Sequence, residues 1–393
     1  MRSTVLYSLF CFMTVISASA VATSSQVQTL TVNMAYVSWT PDPGPIMSNV
    51  IPEPPDAGLQ GAQLALADNN STGRFLKHDY QLLVAAEAEL QATLDAARAL
   101  HAQGVRLFVI NLPSQALSEL ANEFSADSLL INAGSHDDKL RTEQCLPNVL
   151  HTLPSRAMLT DALAQFLTVR KLTRWLLISG PTDDDLAYAA ALKRSAKRFG
   201  HKVVAEKVWS FDTDLRRTAQ AEVPLFTQTS EYDVVVVADE RGDFGEYIPY
   251  NTWYPRPVAG TQGLTPLGWH KVVETFGAAQ LQKRFELQAG RWMNSLDFAA
   301  WLGIRTFGAA VTTLNSTDPA AIKALSLSDD LPLDGFKGRK LSYRDWSGQL
   351  RQPIPLVQPR ALVSNSPQEG FLHPETDLDT LGFDQPESKC RLL

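Results

Sequence analysis

DVVVVA, at positions 233–238, is the stretch that decides the fold of this chain. It is short, β-branched and apolar through its length, which is how a strand buried on both faces of a parallel sheet reads. Stretches of the same kind precede it: RWLLIS at 174–179, SLLIN at 128–132, RLFVIN at 106–111 and TLTVNMAY at 29–36. Weaker strand patterns lie at 78–85, 148–153 and 202–209. Between the strands fall helical patterns at 56–69, 89–103, 113–124, 156–170 and 184–199. The clearest puts Leu90, Leu94, Ala97 and Leu100 on one face and stops at Gly104. Strand and helix in alternation predict a parallel sheet with helices on both faces. The rhythm restarts after Pro147, so two such α/β units are expected. A long apolar helix is predicted over 290–314, and short strands over 340–346 and 353–357.

At 393 residues the chain suits two domains rather than one. Its formal net charge is −7, and it has no basic run, which argues against nucleic acid and anionic membrane surfaces as partners. Positions 1–22 read as a cleavable signal peptide: Arg2, an apolar run at 5–16, then small residues at Ala18, Ala20 and Ala22. The run is too short to span a bilayer comfortably, and Cys11 within it is a poor lipidation site. Export to the periplasm as a free protein is therefore expected. Cys145 and Cys390 remain after the leader. In an oxidising compartment they form either one disulfide tying the tail to the body or two unpaired thiols, and the compartment favours the bridge. Without Cys-x-x-Cys, and with seven scattered histidines, no metal site and no cofactor is predicted.

The layout resembles the type I periplasmic binding proteins, in particular the branched-chain amino-acid and amide receptors of ABC transporters. The likeness is carried by GLQGAQLALADNN (58–70), ATLDAARALHAQGVRLFVINLPSQAL (92–117), LLINAGSHDDKL (129–140), LPNVLHTLPSRAMLTDALAQFL (146–167) and DFAAWLGIRTFGAAVTTL (297–314). It also resembles a divergent subgroup that accompanies quinoprotein (pyrroloquinoline quinone-dependent) alcohol oxidation systems. The resemblance implies two doubly wound lobes joined by a hinge, 23–152 with 268–333 and 153–267 with 334–393. It implies a small polar solute between them and an ABC permease and ATPase as partners. A sensory binding protein, or a non-transport periplasmic partner of a dehydrogenase system, is the alternative.

In open parallel sheets ligands sit beyond the carboxyl ends of the strands. The loops there nominate Trp39 as an aromatic shelf, and Ser114, Gly134 and Ser135 as matches to residues the family uses for ligand carboxylates. On the second unit they nominate Asp184, Glu240 and Gln262. Here the chain departs from amino-acid receptors. Asp183-Asp184-Asp185 and Asp239-Glu240 stand where aromatics are usual, and Gln262 stands where a glutamate would meet the substrate ammonium. A neutral amide cannot supply that pairing. The acidic loops raise a second expectation, that their carboxylates converge on a cation, an amine or a hard metal. Each of these residues also has a purely structural reading as a turn or helix-start residue. A catalytic reading finds no G-x-S-x-G elbow, Walker motif or H-E-x-x-H, so no enzyme is expected.

Overall fold

The computed structural model describes residues 29–42, 53–209 and 215–392. The predicted leader lies outside them. The chain begins β1 (Leu30–Trp39), α1 (Leu59–Leu76), β2 (His78–Glu87), α2 (Leu90–Ala102), β3 (Leu107–Asn111), α3 (Ser114–Glu123), β4 (Leu129–Asn132), α4 (Lys139–Thr142) and β5 (Val149–His151). These strands form one parallel sheet in the order β2-β1-β3-β4-β5. The next stretch runs α5 (Arg156–Val169), β6 (Arg174–Ser179), α6 (Asp183–Arg198), β7 (Lys202–Val208), α7 (Leu215–Thr227), β8 (Val234–Ala238) and β9 (Val258–Gly260). Its sheet is again parallel, in the order β7-β6-β8-β9. Then come β10 (Thr265–Pro266), α8 (Ala278–Ala289), α9 (Ser295–Leu314), α10 (Pro319–Ser326), β11 (Ser342–Tyr343), β12 (Leu350–Arg351), β13 (Ile354–Gln358) and β14 (Ala361–Ser366).

The fold is the expected pair of doubly wound parallel lobes. All of β8 is buried, and its residues alternate between two cores. Val234, Val236 and Ala238 join Trp175 and Leu177 beneath α5 and α6, whereas Val235 and Val237 join Leu176 and Ile178 on the α7 side. This two-residue alternation is why a continuous apolar run is needed in a strand covered on both faces. In the first lobe, Phe298, Trp301 and Phe307 of α9 pack with Val109 and Ile131 on one face of the sheet.

Three differences from the sequence reading have physical causes. The helix predicted over 290–314 starts only at Ser295. Gly290, at φ 69°, ends α8 in the left-handed conformation, and Asn294 with Asp297 forms a capping box that starts α9 afresh. Helix α7 went unread because Pro224 lies inside it; Ala219 and Val223 nonetheless bury its inner side. Residues 334–393 do not follow one lobe. β13 and β14 pair antiparallel with β10 against α5, but Leu341, Tyr343 and Leu350 lie in the first lobe's core, with Tyr343 Oη 2.8 Å from Thr306 Oγ1.

The chain passes between the lobes near 152–155, 266–268 and 351–354. These crossings are bonded together: Gln352 Nε2 donates to Thr152 O (2.7 Å) and Leu267 N to Pro355 O (3.1 Å).

Candidate ligand cleft

In each sheet the strand order reverses once. The reversal falls between β1 and β3 in the first lobe and between β6 and β8 in the second. Loops leaving such neighbours diverge to opposite faces and open a crevice at the strand ends. Trp39 is the last residue of β1, and the other residues nominated from sequence follow the carboxyl ends of β3, β4, β6, β8 and β9.

On the first lobe the two switch-point strands are joined by Asn111 Nδ2 donating to Ser38 Oγ (2.9 Å). The β4 loop folds back on Asn132, whose Oδ1 accepts from the amides of Gly134 (3.2 Å) and Ser135 (2.9 Å). Those two amides are therefore engaged within their own loop. Gly134 is dictated by contact: a Cβ there would lie 2.7 Å from the Asn111 Cα. Ser135 Oγ accepts from Asp137 N (3.3 Å). Ser114 is the first residue of α3, after Pro113 at the cap position, so it is not the helix cap. Its hydroxyl makes no hydrogen bond among the described residues. Trp39 packs against the core on the α2 side, and its Nε1 donates to Ala88 O (2.9 Å), which holds the indole toward the β2 loop.

On the second lobe the acidic loops meet at a residue the sequence reading passed over. Arg156, the first residue of α5, donates from Nε to Glu240 Oε1 (2.9 Å). Its Nη2 donates to Glu240 Oε2 (2.6 Å) and Asp184 Oδ1 (2.7 Å). Nη1 makes no hydrogen bond among the described residues. Burial works against the Arg156 charge, but Glu240 and Asp184 outweigh it and hold the guanidinium protonated. Burial raises the Glu240 carboxyl, and the bonds from Arg156 oppose that rise. Asp185 closes a capping box with Thr182 and accepts from Glu240 N (2.7 Å). Asp239 accepts from the amides of Asp243 (2.9 Å), Phe244 (2.9 Å) and Gly245 (2.6 Å). Gln262 packs its Cγ over Gly245, leaving no room there for a Cβ.

Of the acidic-loop carboxylates, Asp184 and Glu240 converge on Arg156, and Asp185 and Asp239 accept from backbone amides. Among the described residues no group of three or more His, Cys, Asp or Glu side chains is arranged to hold a metal.

The floor of the crevice joins the lobes. Asp138 Oδ1, from the first lobe, accepts from Ala157 N (3.0 Å) at the start of α5, and Arg156 N donates to His136 O (3.0 Å). His136 Nδ1 lies 2.6 Å from Pro154 O, so it carries the proton and donates. Burial pulls His136 down to about 4, leaving a neutral ring whose Nε2 is an acceptor. In sequence Arg156 is only an arginine at the start of a helical pattern. Only the fold brings positions 156, 184 and 240 together.

Two parallel-sheet lobes, three crossings and one crevice walled by both switch points give this chain the type I periplasmic binding protein fold. A family model described as periplasmic binding protein matches residues 55–248. Solved structures of similar fold extend across both lobes. A branched-chain amino acid ABC transporter periplasmic ligand-binding protein from Burkholderia xenovorans LB400 is 15% identical, with TM-score 0.72, covering 92% of this chain and 99% of that one. The branched-chain amino acid transporter substrate-binding protein of Streptococcus pneumoniae, in complex with isoleucine, is 14% identical, with TM-score 0.64, covering 86% and 99%. An ABC transporter solute-binding protein from R. palustris, in complex with benzoate, is 13% identical, with TM-score 0.65, covering 92% and 99%. No curated protein matches by sequence.

Proposed function

We propose that this chain is the periplasmic receptor of an ABC importer and takes a small polar solute between its lobes. The observation that carries this is the Arg156 guanidinium at the second switch point. Its orientation is fixed by Glu240 and Asp184, and Nη1 has no hydrogen-bond partner among the described residues. A fixed donor edge beside a half-buried carboxylate suits a solute with both an acceptor and a donor group. Ser114 and the His136 ring nitrogen add polar groups from the first lobe. Binding energy is spent on lobe closure, a hinge motion about the three crossings, with no covalent step.

An ordinary branched-chain amino acid is not the expected solute. Its ammonium would meet Gln262, an amide, and its carboxylate would find the Gly134 and Ser135 amides already bonded to Asn132. The isoleucine and benzoate complexes of similar proteins frame the size of solute such a cleft takes. Export by the leader at 1–22, lobes divided near 152, 267 and 351, and service to a quinone-dependent alcohol oxidation system belong to the same reading.

A thermal-shift screen of the mature protein tests it, with amino acids, amides, alcohols and their acids, polyamines, pyrroloquinoline quinone and calcium. A ligand that binds only the folded state raises the midpoint with concentration. The expected result is a hit that is lost in Arg156→Ala. A flat screen on folded protein, or a hit indifferent to Arg156, overturns the assignment of the cleft.

A further inference from the structure

The three crossings are not the only links between the lobes. After β14 the chain turns back and makes a fourth passage. Gln165 of α5 donates from Nε2 to Thr380 Oγ1 (3.1 Å). Gly382 then docks on the second lobe. Its amide donates to Asp161 Oδ2 (2.9 Å), and its carbonyl accepts from Arg194 Nη2 (3.1 Å) and from Arg198. Glu387 stays with the same two arginines, at 3.4 and 3.8 Å.

One residue later the tail is on the first lobe. Ser388 Oγ donates to Arg141 O (2.8 Å) and Lys389 N to Thr142 O (2.8 Å). Cys390 is disulfide-bonded to Cys145, 245 positions earlier. Lys323 Nζ donates to Leu392 O (3.3 Å), and the Leu392 side chain packs on the first lobe's core. The passage from Glu387 to Ser388 leaves no slack. Adjacent Cα atoms are ~3.8 Å apart, so a rotation that separates α6 from α4 must break one set of anchors.

We propose that residues 382–390 are a strap across the hinge, and that the Cys145–Cys390 bond sets how far the lobes open. On the first lobe the covalent bond is the anchor that cannot yield. The hydrogen bonds beside it are worth about 1 kcal/mol each and give way singly. With the disulfide cut, the tail end detaches and the hinge gains range. In an oxidising compartment the strap stays fastened, and a thiol reductant releases it. The proposal goes beyond solute binding and does not depend on which solute is bound.

The experiment is an interlobe distance measured by pulsed electron resonance without ligand. Spin labels are introduced by non-cysteine chemistry at the exposed Ala102 and Ser230. Three forms are compared with the oxidised protein: the reduced protein, Cys390→Ser, and Arg194→Ala with Arg198→Ala. The arginine pair removes the contacts to the Gly382 carbonyl and Glu387, so it loosens the second-lobe anchor while keeping the disulfide and separates a strap from a bond that only steadies the fold. It also serves if Cys390→Ser fails to fold. The expected result is a longer and broader distance distribution in every folded form. Distributions that superimpose on the oxidised protein overturn the proposal. So does a change on cutting the disulfide with none in the arginine variant, because the bond would then act within the first lobe alone.

Discussion

Two groups of arginines and carboxylates sit in this molecule in opposite proportions. In the cleft, two carboxylates share one arginine: Asp184 and Glu240 on Arg156. Near the third crossing, two arginines share one carboxylate: Arg344 and Arg351 on Asp379. The surroundings differ as much as the counts. The Asp184 side chain is 69% exposed, whereas Asp379 is 5% exposed and Arg344 3%. In water an ion pair is weak and replaceable, and a solute can take the place of either partner. In the interior each ion depends on its partner, because desolvation has already been incurred. The first arrangement can serve binding. The second can only hold structure.

The largest effect is therefore expected at Asp379. Its removal leaves Arg344 and Arg351 facing each other across a buried site; Arg344 would keep only the carbonyls of Leu381 and Phe383. Asp379→Ala should cost about 3–5 kcal/mol in urea unfolding. A loss below about 1 kcal/mol would erase the distinction between the two groups.

Lys337 sharpens the contrast, since it is an enclosed cation that meets no carboxylate among the described residues. Its Nζ donates to Gln352 Oε1 (2.6 Å) and Pro353 O (3.1 Å), beside the third crossing, and lies 4.9 Å from the Phe298 ring centre. Burial pulls the ammonium down to about 7 from the ordinary 10.5. Between those values the unfolded chain binds a proton that the native protein does not, so stability rises with pH across that window and is lost as pH falls toward about 7. Lys337→Met should flatten the rise. At pH 7 it should stabilise by about 1–2 kcal/mol after the two lost hydrogen bonds are counted. Urea midpoints at pH 7 and 9 read both; an unchanged slope would mean that the charge is better solvated than its surroundings suggest.

The contrast also explains what sequence could reveal. Apolar runs such as 174–179 and 234–238 announce a doubly covered strand whatever lies around them, so the two sheets were legible. So was Cys145–Cys390, as the pair outside the predicted leader. The acidic loops were legible as strand-end loops, but not their counter-charge. Arg156 opens a helix of ordinary pattern, and nothing local separates it from Arg174, which pairs with Asp233 at the surface. His201 stacks on Trp175 at 4.5 Å between ring centres, a contact that no local pattern announces. The fourth passage left no periodic signal, because its contacts are single hydrogen bonds from a segment without regular structure. Charge compensation at long range is a property of the fold.

Within the cleft group the two carboxylates should themselves separate. Glu240→Gln keeps the shape and removes the charge, leaving Arg156 with Asp184 alone. A loss of about 1–2 kcal/mol is expected near neutral pH. Burial raises the Glu240 carboxyl above its ordinary 4.5. The native protein thus holds a proton there more readily than the unfolded chain. That contribution is fully present below 4.5 and is lost as pH rises through the folded value. The glutamine variant should lack this dependence, so its deficit relative to the parent should narrow at higher pH.

The smallest effect is expected at Asp184, the more exposed of the two carboxylates on Arg156. It holds Arg156 through a single bond of 2.7 Å while most of its side chain faces water. An exposed partner is worth about 0–1 kcal/mol, and Arg156 keeps its two-atom contact with Glu240. Asp184→Asn should therefore change the unfolding free energy in urea by less than about 0.5 kcal/mol, and its dependence on salt should be slight. A cost near that of Glu240→Gln would mean that the two carboxylates act as one unit on Arg156, and the cleft would then be a structural cluster of the same kind as the one at Asp379. A near-neutral substitution leaves the side chain free to be exchanged for a solute group without loss to the fold, which a binding wall requires.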